Sequence, residues 1–149
     1  MKESIFDIFV VGARKGLNIG LNSVLPNVLM AYAIIQVLKV TGILDLLSKW
    51  FAPVMAIFGL PGEAMVVLPA AFMSTGGGVG VAVSLYTAGS LSPVHLTILF
   101  PGIFLMGAQL QYMGRVLGTA GVQTRFYPVL FAISIITALV AMLVMRMFA

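Results

Sequence analysis

A long apolar run between Pro61 and Thr97 is interrupted at its centre, Leu68-Pro69-Ala70-Ala71-Phe72-Met73-Ser74-Thr75-Gly76-Gly77-Gly78-Val79-Gly80, by a hydroxyl pair and four glycines. In hydrocarbon an unsatisfied backbone amide costs several kcal/mol, so a spanning helix stays continuous unless the interruption is buried in protein or lines a wet cavity. A chain built only to anchor would not carry such a break. Discontinuous helices serve as binding sites near mid-membrane, because half-helix ends aim partial charges and free backbone groups at a solute. The plainer reading is close helix packing, which the Gly76-xxx-Gly80 spacing also satisfies.

Composition fixes the solvent. The chain has 149 residues, is 61% hydrophobic and only 8% charged, far below the quarter expected of a soluble domain. With about 20 residues needed per crossing, it is an all-α polytopic membrane protein. We expect a single domain, 1–149, of about four to five helices, including an interfacial helix and one or two broken (re-entrant or discontinuous) helices. The eight basic residues are scattered, so there is no nucleic-acid footprint. Without cysteine there is no disulfide or thiolate chemistry. Two acidic residues precede the first apolar run, which argues against a cleaved signal peptide.

Along the chain, Ser4 and Asp7 mark a helix start. Residues 4–18 form an amphipathic lead helix whose Gly12, Gly16 and Gly20 offer a packing face. Residues 19–40 read as the first span, begun or kinked at Pro26, with Asn22, Asn27 and Gln36 too costly to face lipid. Residues 41–58, with Trp50 beside Lys49, suit a helix along the membrane surface. After the Gly59-Leu60-Pro61-Gly62 turn, Glu63 caps the start of a broken helix or re-entrant hairpin over 61–91, its tip at the glycines. A second broken span, 93–114, turns polar at Gly107, Gln109, Gln111 and Tyr112, and 126–147 is an unbroken final span. The positive-inside rule favours the hairpin. It collects Lys2, Arg14, Lys15, Arg115 and Arg125 on the cytoplasmic side against Lys39, Lys49 and Arg146.

The order of surface helix, Gly-Leu-Pro61 turn, helix broken at Ser74-Thr75-Gly76, second break near Gly107, and Gly121-Val122-Gln123-Thr124-Arg125 before the last span resembles the spore maturation protein B type of membrane protein, which carries the Gate, or nucleoside-recognition, domain. The resemblance implies a multi-pass protein of the bacterial inner (cytoplasmic) membrane that works with a homologous spore maturation protein A-like subunit. It points to Ser74, Thr75 and Gly76 in the first break and to Gly107, Gln109 and Gln111 in the second. The family's hydroxyl-rich, glutamate-containing stretch after the second glycine is here replaced by two glutamines and Tyr112.

These residues predict a subunit of a transporter for a small polar organic solute: a nucleoside, a zwitterion or a small peptide-like compound. The solute-binding set is Ser74, Thr75, Gly76, Gly77, Gly78, Gly107, Gln109, Gln111, Tyr112, Asn22 and Asn27. The other half of the site comes from a homologous partner or from a second copy in a homo-oligomer. The competing reading is a membrane scaffold or assembly subunit whose glycine faces only pack. An enzyme is not expected. His95 stands alone, with no metal-ligand partner at helical spacing and no nucleophile constellation, so neither metal nor cofactor is anticipated.

Overall fold

The computed structural model describes residues 4–149. It is all-helical, with no strand among the described residues. Helix α1 (Ile5–Ile19) starts at Ser4, whose hydroxyl accepts from the Phe6 N–H at 3.3 Å. A π-helical turn, Gly20–Val24, joins it to α2 (Leu25–Val40) as one continuous 36-residue helix. Pro26 accounts for the wider turn: its ring crowds the carbonyl four residues back and it has no N–H to give. Thr41 and Gly42, the latter at φ +73°, end α2 and reverse the chain into α3 (Ile43–Ala56).

Helix α3 buries Leu44 and Met55 while Trp50 is 75% exposed, so its outer face is apolar as befits a helix lying against lipid. Its inner face packs on the 3-10 turn Gly62–Val66, which leads into α4 (Val67–Met73). The approach is so close that a Cβ on Gly62 would fall on the Ser48 carbonyl. Helices α5 (Thr75–Thr87), α6 (Pro93–Leu105), α7 (Gln109–Thr119) and α8 (Tyr127–Arg146) complete the chain. Three stretches, Ile5–Val40, Pro93–Thr119 and Thr124–Arg146, are long and apolar enough to cross a bilayer.

Lipid tails are as apolar as leucine, so helices here associate through close packing more than through water exclusion. The core is built accordingly. Ala64, Ala71 and Ala138 are wholly buried beside Val67, Leu85, Leu99 and Met142. Helices α6 and α8 run antiparallel, with Gly102 facing the Met142 thioether and the Leu105 carbonyl facing Ser134. Helices α2 and α5 run parallel, with Gly76 beside Asn27, and Gly80 against Val28 and Ala31. His95 is absorbed by the start of α6: Ser92 and His95 cap each other, the Ser92 N–H donating to His95 Nδ1 at 3.2 Å.

Candidate functional site

Helix α4 ends at Met73, Ser74 is extended (φ −157°, ψ 125°), and α5 begins at once with Thr75. The chain doubles back there. A Cβ built on Gly78 would stand 2.5 Å from the Ala71 Cβ, whereas residues seven apart in one straight helix lie about 10 Å apart along its axis. Ser74 makes the reversal possible twice over. Its N–H closes α4 on the Ala70 carbonyl at 2.9 Å, and its hydroxyl caps α5 by accepting from the Gly77 N–H at 3.3 Å. The sequence reading put the tip at the glycines; the structure puts it at Ser74 and winds Gly76, Gly77 and Gly78 into the first turn of α5. Those glycines are there for room: Gly78 admits α4, while Gly76 and Gly80, four apart, share the face that touches α2.

Between α6 and α7 the helical ladder lapses at Met106, Gly107 and Ala108. Ala108 is the only non-glycine residue with positive φ (54°) among those described, a conformation costing about 1–3 kcal/mol. Its backbone N–H is thereby turned onto the Ala71 carbonyl at 2.8 Å, a group that α4 cannot satisfy internally so near its end. Gly107 seats the Thr75 side chain, which would collide with any Cβ there. The Leu105 carbonyl, freed by the lapse, takes Gln109 Nε2 at 3.1 Å and the Ser134 hydroxyl at 3.3 Å. The two interruptions, about thirty residues apart in sequence, are therefore one structural feature.

Beside them lies a cavity of about 420 Å³. Asn27, Ser74, Gly77 and Gln111 give it polar edges, and Met30, Ile34, Ile35, Leu38 and Val81 an apolar wall. No charged side chain lines it. A carboxamide presents both donors and an acceptor, and a hydroxyl does the same. Such a lining can hold a neutral hydrogen-bonding group while an apolar flank rests on the wall.

The residues singled out from sequence divide. Asn27, Ser74, Gly77 and Gln111 line the cavity; Gly76 touches Asn27 at its edge. Thr75, Gly78 and Gly107 hold the two interruptions together, and Gln109 spends its amide on the Leu105 carbonyl. Tyr112 is 58% exposed. Asn22 is turned elsewhere: it hydrogen-bonds Asn18 and lines a separate recess with Lys15 and Ser23. Sequence reading missed Ala108 and Ser134. Alanine gives no sign of a left-handed conformation, and a lone serine in an apolar helix looks like filler. Among the described residues no three His, Cys, Asp or Glu side chains gather as a metal site would require.

The sequence profile of the family described as Gate, nucleoside recognition, matches residues 21–120. The chain belongs to the Gate family. The match runs from the π turn to the end of α7, so both interruptions and the cavity fall inside the Gate region while α1 and α8 fall outside it. The chain is also 48% identical, over 147 residues, to inner membrane protein YjiG of Escherichia coli strain K12, covering 99% of this chain and 96% of that one. The YjiG proteins of E. coli O6:H1 and O157:H7 match with the same identity and coverage. No solved structure matches. With three stretches able to span and an inner-membrane relative aligned end to end, this Gate protein is a multi-pass protein of the bacterial inner membrane.

Proposed function

We propose that this Gate protein is one half of a transporter for a small, uncharged or zwitterionic polar solute, with a nucleoside the class best suited to the cavity. The observation that carries the reading is that two helix interruptions, tied by the Ala108–Ala71 bond, meet at a cavity edged by Asn27, Ser74 and Gln111. In this reading α4 and α5 form a re-entrant hairpin. Its tip lies at the level of Ser134, well inside the span of α8, since the neighbouring Leu105 carbonyl bonds to Ser134. The positive end of α5 and the two carboxamides then face a solute where water is scarce and hydrogen bonds discriminate most. A nucleobase offers the matching pair of features, a hydrogen-bonding edge and a flat apolar face.

The packing around the tip supports a partner. On the Lys39 and Arg146 side, α2 to α6 and α8 pack together; on the other side, α1 and α7 bury none of their described residues. A homologous subunit in the opposite sense, or a second copy, completes the walls, as sites of this kind form between two repeats. The scaffold alternative accounts for α1 and α7 and leaves the cavity without a role.

Co-expression with the homologous subunit, reconstitution into proteoliposomes and uptake of labelled nucleosides tests this reading. Gln111→Leu is expected to lower uptake about tenfold, the scale of one hydrogen bond to the solute lost, with the melting temperature within about 2 °C of wild type because Gln111 is exposed. Uptake unchanged by Gln111→Leu refutes the site; a complex that binds no nucleoside, zwitterion or dipeptide favours the scaffold.

A further inference from the structure

A second concavity lies on the far side of α4 from the solute cavity. It is a groove of about 490 Å³ between α3, α4 and α8, lined by apolar side chains alone, Val54, Phe58, Leu68, Phe72, Ile135 and Leu139 among them. It opens beside the exposed Val54 and Ile57 to the surroundings, which for an inner-membrane protein are lipid. A void there forfeits dispersion contacts, which an apolar chain lying in the groove would restore.

One end of the groove is charged. Arg146, the last residue of α8, donates from Nη1 to the Ile57 carbonyl, and Ile57 itself lines the groove. Gly59, at φ +71°, lets the guanidinium lie across the turn, with Nε 3.3 Å from where a Cβ would sit. The bond to Ile57 fixes the fork in place and uses one of its five N–H donors. Planar, weakly hydrated and pre-oriented, it matches a phosphate better than a lysine would.

Depth matches as well. From Arg146 to Ile135 the helix falls about 16 Å at 1.5 Å per residue, against a leaflet of about 15 Å, half the hydrocarbon core. We infer that this groove binds one anionic phospholipid of the bilayer, its acyl chain between α3, α4 and α8 and its phosphate on Arg146. The inference stands on the groove and Arg146 and is independent of the solute reading.

The test uses the purified full-length chain in a neutral detergent, mixed with phosphatidylglycerol or phosphatidylcholine bearing the same acyl chains. Native mass spectrometry counts the bound lipid. Both lipids carry the phosphate, but the choline of phosphatidylcholine cancels its charge and repels the guanidinium, so wild type is expected to retain phosphatidylglycerol about tenfold better. Arg146→Gln is expected to erase that preference, and Arg146→Lys to keep part of it. Leu139→Trp, which fills the groove and leaves Arg146 alone, is expected to reduce retention of both lipids. Equal retention of the two by wild type, or a preference that survives Arg146→Gln, overturns the proposal. So does unchanged retention in Leu139→Trp, which decides the matter should Arg146→Gln fail to fold.

Discussion

Gly78 is the most demanding position of the hairpin. In Gly78→Ala the new methyl would stand 2.5 Å from the Ala71 Cβ and 2.7 Å from its Cα, against about 3.5–4.0 Å for carbon atoms in contact. Backbone atoms cannot rotate aside, so α4 and α5 must part by about 1 Å. Overpacking of this kind costs about 1–3 kcal/mol. The same displacement stretches the 2.8 Å bond from Ala108 to Ala71 beyond hydrogen-bonding range and orphans a buried carbonyl, for about 1–3 kcal/mol more. Against this, alanine returns up to about 1 kcal/mol of helix propensity. The net expectation is a loss of about 1–5 kcal/mol. At Gly77 the added methyl meets nothing nearer than 3.4 Å, so Gly77→Ala serves as a control of identical chemistry one residue away. Unfolding in mixed micelles, followed by Trp50 fluorescence, measures both. Ala71→Gly in the Gly78→Ala background should restore stability only partly, because the new methyl still presses on the backbone of residue 71. If Gly78→Ala proves as stable as Gly77→Ala, the hairpin is not packed as described.

Gln109→Leu removes one of two donors from the Leu105 carbonyl and is expected to cost about 1 kcal/mol in the same unfolding assay, with solute binding by the reconstituted complex unchanged because Gln109 is not among the residues lining the cavity. Ser74→Ala removes the cap on α5; a loss of about 1 kcal/mol is expected, together with weaker solute binding by isothermal titration, since the same hydroxyl edges the cavity.

Much of the architecture is legible in the residues, and the reason is the solvent. Where hydrocarbon forbids unpaired amides, prolines, glycines and carboxamides inside apolar runs have few explanations, which is why Ser74 and Gly107 stand out unaided. Distances do not emerge that way. Nothing in the sequence distinguishes Gly78, which faces Ala71, from Gly77, which faces the cavity, nor Gln109, which closes on the last carbonyl of α6, from Gln111 two residues on. Those assignments depend on which way each helix is rotated, and apolar residues on every side of a membrane helix erase the periodicity that would reveal it. Asn22 misled for the same reason: its chemistry fits a site, and only the path of the helix carries it past.

Two interruptions that share a backbone bond and a side-chain socket cannot travel separately. A shift of the Ser74 turn that kept the Ala108 amide on the Ala71 oxygen would pull the α6–α7 junction along with it. Any displacement of the hairpin tip would therefore carry both interruptions together, and would be taken up along α2, where Gly76 and Gly80 face Asn27, Val28 and Ala31.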